Sequence, residues 1–337
     1  MLGASTSFLG GLATATSPWL ATSDCHHSSR LLDRTKLHSL AALVENAPLS
    51  GLVQAKAFCS DNDADTFFSS GNDGLSWICF NEACASLSQQ AFGRPDATIA
   101  EALARMQSPI AARVASRGRS NSYTLADDDE THSDEMAVAP ELAEWLCNLD
   151  DATQRPYCDA DIYCTAAASA SASLGWHVDD VDVLLIMLKG RKRFRVAGRT
   201  FGSTVAIDAM LEAGDALFIP ALTFHTGGGD ERGGNGGGDD AAGGWGSWAR
   251  GLLPSPTGAA SAESWMLSVA LPWADAAAQE GAQAAAAEWR DAIEGLAAGL
   301  PARCNSWSYA ATPRGREEMA TLLSDEAAAR FLPLERS

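Results

Sequence analysis

Two short segments of this 337-residue chain carry side chains whose types and spacing suit metal chemistry. The first reads Leu174-Gly175-Trp176-His177-Val178-Asp179, and the second runs from Leu211 through Pro220 to Phe224-His225. In extended chain, residues two apart point the same way, so His177 and Asp179 present an imidazole and a carboxylate together. His225, arriving from another strand, would complete three ligands on one face of a metal and leave the opposite face open. Two histidines and one carboxylate arranged in this way suit non-haem Fe(II) and its oxygen chemistry. A lone His-x-Asp recurs by chance, and scarcity is what gives this one weight. Of the six histidines, His26 and His27 lie in an N-terminal tail, His38 just beyond it and His132 in an acidic run. Only His177 and His225 sit in strand-like sequence. The alternative is a pair of ordinary hydrogen-bonded core histidines.

A lysine joins them by register. If Lys189-Gly190 is the two-residue turn of a hairpin, Leu188 faces Arg191 and Met187 faces Lys192. Directly paired residues share a sheet face. One face then holds Val183, Leu185, Met187, Lys192, Phe194 and Val196, and the other holds Leu184, Ile186 and Leu188 with Arg191, Arg193 and Arg195. The arginine face reads as solvated. Lys192 stands alone among apolar neighbours, which is costly unless an anion meets it. The alternative is a lysine snorkelling at a barrel mouth. A straight strand from His177 to Met187 would span about 33 Å at ~3.3 Å per residue, too far for Lys192 to reach the metal. The chain must therefore bend between Asp179 and Val183, where Asp180 and Asp182 supply loop-like polar residues.

The elements that must position these residues follow from composition. Apolar residues make up 46%, enough for a sizeable core. Lys+Arg number 24 and Asp+Glu 43, and the net charge of −19 argues against direct nucleic-acid binding while leaving a basic protein or peptide open. The longest apolar run, Val183 to Leu188, falls far short of the ~18 residues a membrane helix needs, so no membrane partner is expected. Eight scattered cysteines without a Cys-x-x-Cys pair read as free thiols in a reducing compartment. Residues 1–30 are Ser/Thr/Ala-rich and read as a disordered tail or a transit peptide. The first implies cytoplasm or nucleus, the second a plastid or mitochondrion. Residues 31–150 form a mixed α/β region with a helix over Ile99–Met106, an acidic run at 127–135 that reads as a solvated loop, and a short amphipathic helix at Leu142, Trp145 and Leu146. Residues 151–273 are strand-rich, interrupted by a Gly-rich insertion at 227–258. Residues 274–337 turn Ala/Glu-rich, with a helix over 276–300.

Gly-x-His-x-Asp, the hydrophobic strand ending in Lys-Gly-x-Lys, and Gly-Asp-x-Leu-Phe-Ile-Pro followed four residues later by His together resemble the Jumonji-C (JmjC) and cupin-type 2-oxoglutarate oxygenases. The likeness is to their ribosomal-oxygenase and asparaginyl-hydroxylase-like branches, and it covers about Asp161 to Trp273. The resemblance implies a mainly β fold with α: a double-stranded β-helix (cupin or jelly roll) core, flanking N-terminal α/β elements and a C-terminal helical tail. It implies that His177, Asp179 and His225 bind Fe(II), and that Lys192, fifteen positions after the first histidine, pairs with the far carboxylate of 2-oxoglutarate. Val183 and Leu185 would line the co-substrate pocket, and Tyr163 would donate a hydrogen bond to 2-oxoglutarate, a core tyrosine being the alternative. The implied reaction consumes 2-oxoglutarate and O2, releases succinate and CO2, and hydroxylates a protein side chain. Lysine demethylation and a non-catalytic cupin that binds a metal or small acid are the rival readings. The long insertion after the distal histidine is a departure, read as a lid or as disorder. Ala270 stands where some relatives carry a polar contact to 2-oxoglutarate. The 64 residues after Trp273 are short for both a dimerisation region and a winged helix. A homodimer through this tail is the accompanying expectation.

Overall fold

The computed structural model of the chain describes residues 26–28, 34–48, 54–58, 75–80, 94, 96–106, 110–116, 136–137, 140–153, 159–165, 176–228, 263–272, 276–300 and 306–332. Its centre is the segment Val183–Leu188, six apolar residues in a row. An uninterrupted run suits a strand covered on both faces, where alternation has no polar side to serve. That strand, β7 (Asp182–Lys189), is buried along its length up to Lys189, with β10 (Ala216–Ile219) on one edge and β12 (Ser264–Leu271) on the other.

Among the described residues, nine antiparallel strands form the large sheet. Beyond β12 come β6 (Asp159–Thr165), β4 (Ile110–Ser116), β2 (Gln54–Phe58) and β3 (Leu75–Phe80), with β5 (Met136–Ala137) beside β4 and β1 (His26–Ser28) on the far edge against β10. The N-terminal α/β region thus extends the core sheet itself. The residues expected in the tail contribute its edge strand, β1; the rest of 1–30, the acidic run and residues 229–258 of the insertion lie outside the described residues. One strand ends at Gly227 and β12 begins at Ser264, on either side of that stretch. A smaller sheet of β11 (His225–Gly227), β8 (Arg191–Val196) and β9 (Ile207–Glu212) faces the large one.

The expected β7–β8 hairpin does not form. Both edges of β7 are already paired, so β8 has no free ladder to join and leaves for the other sheet. Gly190 makes the crossing at φ 72, and a Cβ there would fall onto the carbonyl of Glu263. Gly214, at φ 96, brings the chain back between β9 and β10. The face assignment survives the correction because side chains alternate with period two on either path. Val183, Leu185, Met187, Leu217, Ile219 and Met266 from the large sheet meet Phe194, Val196 and Leu211 from the small one. This is the double-stranded β-helix: two sheets closed around a shared apolar interior.

The opposite side of the large sheet, with Leu184, Ile186, Leu188, Phe218 and Val269, packs on three helices. These are α1 (Arg34–Glu45), α2 (Ile99–Met106) and α3 (Pro140–Thr153), which bury Leu40 and Val44, Ile99 and Leu103, and Leu142 and Leu146. Helix α2 begins with a reciprocal cap: the Glu101 N–H donates to Thr98 Oγ1 at 3.3 Å, and the Thr98 N–H donates to Glu101 Oε2 at 2.9 Å. The tail forms α4 (Ala276–Gly299), α5 (Ser306–Ala310), α6 (Pro313–Leu322) and α7 (Asp325–Phe331). It buries Trp289, Trp307 and Phe331 around Phe201 and Phe224, with Phe224 and Trp289 rings 5.0 Å apart. Cys147 and Cys164 are free thiols.

Candidate metal centre and barrel interior

The bend required between Asp179 and Val183 is present, and it builds one end of the barrel. Before it, His177 forms an isolated antiparallel bridge to His225, the first residue of β11. Its N–H donates to the His225 carbonyl and the His225 N–H donates back, both at 3.0 Å. After it, β7 runs in the large sheet. The bend is tied across the gap by the Leu222 N–H donating to the Asp179 carbonyl at 2.8 Å and the Ala221 N–H donating to Asp182 Oδ1 at 2.7 Å. Asp182, expected to be a loop-like polar residue, is buried at the start of β7, where its carboxylate accepts that backbone donor. Leu222 adopts φ 59, a left-handed conformation disfavoured for leucine and held here by its surroundings.

These ties bring three ligand side chains together. His177 Nε2 lies 4.0 Å from Asp179 Oδ1, and His225 Nε2 lies 3.4 Å from Asp179 Oδ2. The imidazole centroids are 4.2 Å apart, and one ligand atom from each residue falls within 4.8 Å of the others. The electrostatics favour ligation. His225 Nδ1 sits 2.9 Å from the Thr223 carbonyl, so Nδ1 keeps its proton and donates, leaving the Nε2 lone pair pointing at Asp179. Burial, with His177 beside it, lowers the His225 pKa to about 4, so the ring is neutral at pH 7, the form that binds metals. The His225 side chain is 5% exposed, whereas that of Asp179 is 34% exposed, so the cluster opens to solvent on the carboxylate side. Two imidazoles and a carboxylate whose ligand atoms converge within 4.8 Å are a donor set for a first-row divalent metal. The donor set fits Fe(II).

Away from the cluster, β8 leads inward. His225 faces Val196 across the β11–β8 ladder, and Lys192 lies four residues further along β8 on the same side. At ~3.3 Å per residue that is about 13 Å of strand, which an extended lysine and a five-carbon diacid together bridge. Among the described residues Lys192 has no ion pair. Burial depresses its pKa from 10.5 to about 8, the cost of an ammonium among apolar neighbours. Val183 and Leu185 line the same interior, and Tyr163 packs against it, partly buried. Val183, Leu185 and Tyr163 thus belong to the apolar interior between the sheets, and Lys192 shares its strand face with Phe194 and Val196 of that interior. Arg193 and Arg195 stand on the outer side of β8, where Arg193 pairs with Asp208 at 2.5 Å.

Sequence reasoning missed Gln279, whose side-chain amide donates to the Asp180 carbonyl at 2.7 Å. Nothing local in the sequence marks it, because its partner is 99 residues away. Leu222 and Thr223 were missed also, although the fixed spacing between Pro220 and His225 marks their turn.

The fold and the cluster define a double-stranded β-helix with a two-histidine, one-carboxylate centre. The family model of the JmjC domain matches residues 141–235, a span that includes His177, Asp179, Lys192 and His225. No curated protein matches the chain. Among solved structures, it is similar to YcfD of Escherichia coli at 14% identity and a TM-score of 0.37, covering 90% of this chain and 64% of that one. A YcfD structure described as a ribosomal oxygenase in complex with cobalt and 2-oxoglutarate gives 14% identity and a TM-score of 0.35, with the same coverage. A cupin superfamily protein from Desulfitobacterium hafniense gives 17% identity and a TM-score of 0.19, over 34% of this chain and 65% of that one. The chain therefore spans just under two thirds of the length of YcfD.

Proposed function

We propose that this protein is an Fe(II)- and 2-oxoglutarate-dependent oxygenase that hydroxylates a side chain of a protein substrate. One observation carries the reading: a two-histidine, one-carboxylate cluster stands at one end of an apolar interior, and Lys192, without an ion pair among the described residues, stands on the same side of β8 about 13 Å further along at ~3.3 Å per residue. A non-catalytic metal-binding cupin has no use for a half-buried cation at that distance. A metal-binding dianion needs both groups.

His177, Asp179 and His225 would hold Fe(II), which supplies the activation of O2. Lys192 would pair with the distal carboxylate of 2-oxoglutarate, its ammonium regaining the charged form as the anion replaces lost hydration. Val183, Leu185 and Phe194 would exclude water around the carbon chain, and Tyr163 would offer a phenolic donor from the adjacent wall. The open carboxylate side is the approach left for a substrate C–H bond. Atoms balance when one oxygen of O2 enters succinate, formed with CO2 from 2-oxoglutarate, and the other enters the substrate as hydroxyl. A folded protein or peptide substrate suits a JmjC domain in a chain of net charge −19, which favours basic partners.

The test is succinate formation from 2-oxoglutarate by purified protein with Fe(II) and ascorbate. Wild type should turn over slowly without substrate, His177→Ala should not, and Lys192→Ala should lose affinity for 2-oxoglutarate. Absence of both turnover and calorimetric binding of 2-oxoglutarate by the wild type would reject the oxygenase.

A further inference from the structure

The helical tail reaches the metal cluster from outside at each ligand-bearing stretch. Trp176, beside His177, and Phe224, beside His225, are buried in one apolar cluster with Ala278, Ala282, Ala286 and Trp289 of α4. The stretch bearing Asp179 receives a polar contact instead: Gln279, buried in the first turn of α4, donates from Nε2 to the Asp180 carbonyl at 2.7 Å.

That contact falls where the backbone lies between ladders. His177 is fixed by its paired bonds to His225, and Asp182 already belongs to β7. Residues 179–181 cross between sheets and join no ladder. Bonds at Leu222 and Asp182 fasten this crossing to the turn before His225. Gln279 ties it to α4. A carboxylate on a short, one-third exposed side chain takes its direction from the backbone that carries it.

We propose that Gln279 is a positioning residue for the metal centre, its amide fixing the Asp179–Val181 crossing so that the Asp179 carboxylate faces both imidazoles. The inference rests on the reading that His177, Asp179 and His225 hold a metal. It makes the helical tail part of the site, which no ligand motif indicates.

The full chain, free of 2-oxoglutarate, is titrated with Co(II) and followed by visible absorption, alongside the melting temperature of the metal-free protein. Gln279→Met keeps the bulk and removes the donor. Gln279→Glu keeps the shape and sets a carboxylate against the carbonyl. Leu296→Ala, a buried position of the same helix about 25 Å away at 1.5 Å per residue, reports what loosening the tail does by itself. Outer-sphere partners of metal ligands typically control affinity by 10–100-fold, so Gln279→Met should weaken Co(II) by about tenfold and alter its absorption bands, and Gln279→Glu should weaken it further. Leu296→Ala should lower the melting temperature at least as much and leave Co(II) affinity within about twofold of wild type. Wild-type affinity in Gln279→Met overturns the proposal. So does an equal loss of affinity in Leu296→Ala. Failure of the wild type itself to bind Co(II) strikes instead at the metal site on which the proposal rests.

Discussion

At one end of the barrel interior, His177, Asp179 and His225 are held by a set of hydrogen bonds: a reciprocal pair between the histidines, the Leu222 and Asp182 ties, and the Thr223 carbonyl on His225 Nδ1. At the other end, Lys192 stands on an ordinary strand and faces apolar side chains with no ion pair among the described residues. The metal end is organised before anything binds. The lysine end is paid for in stability and becomes favourable only when an anion arrives. A protein that needed only a metal would have no use for the second end, and the proposed 2-oxoglutarate site accounts for both.

The largest effect should come from removing a ligand at the organised end. Asp179→Ala should weaken Co(II) or Fe(II) binding by more than about a hundredfold, beyond what outer-sphere changes produce, and abolish succinate formation. The fold should barely notice. The Asp179 side chain is partly exposed, and the Leu222 tie uses its backbone carbonyl, which alanine keeps. Calorimetric metal titration and thermal melting check the two halves, and a large loss of melting temperature in metal-free Asp179→Ala would contradict the contrast drawn here.

Lys192→Met should do the reverse at the other end. Affinity for 2-oxoglutarate should fall by at least about a hundredfold, as expected for breaking a buried pair. Metal affinity should stay near wild type. The ligand-free protein should become more stable, because burial holds the Lys192 pKa at about 8 against 10.5 in the unfolded chain. That difference corresponds to about 3 kcal/mol of destabilisation at pH 7 at ~1.4 kcal/mol per pKa unit. Urea unfolding at pH 7 measures it.

The same lysine sets a pH dependence. Between about 8 and 10.5 the unfolded chain binds a proton that the folded one has lost, so this group raises stability with pH across that window and contributes its full penalty below it. Ligand binding runs the other way. With excess metal, affinity for 2-oxoglutarate should be level up to about pH 8 and then fall by up to tenfold per unit as the ammonium deprotonates. Lys192→Arg, whose charge persists, should flatten that fall. An unchanged slope in Lys192→Arg would assign the titration to another group.

Which parts of this design were legible in the sequence follows from how local each determinant is. His177 and Asp179 are two residues apart, so alternation alone puts them side by side. Lys192 was placed inside through a hairpin that does not exist, yet alternation carried it to the right face, since the crossing at Gly190 changes sheets without changing parity. The pairing itself was not legible, because whether β8 can join β7 depends on β10 and β12 already occupying both its edges. Asp182 looked like a loop residue because its partner, the Ala221 N–H, is 39 residues away. The helices at 99–106 and 276–299 were readable from periodicity and composition, but what they cover was not: one backs the large sheet, the other the metal end.

The smallest expected effect tests the boundary between the ends. Gly227 lies opposite Phe194 in the β11–β8 ladder, and a Cβ on it would come within 2.5 Å of the Phe194 ring. Phe194 stands midway between Val196, which faces His225, and Lys192. Gly227→Ala must therefore push the ring along the interior or shift β11. Overpacking of this kind typically costs about 1–3 kcal/mol, part of which appears as a lower melting temperature. If the ring yields, 2-oxoglutarate affinity should fall a few-fold with metal affinity unchanged. If β11 yields instead, His225 moves with it and metal affinity should fall first. Titrating Gly227→Ala with Co(II) and then with 2-oxoglutarate separates the two, and the ring is expected to yield because the paired backbone bonds between His177 and His225 anchor β11 at its start.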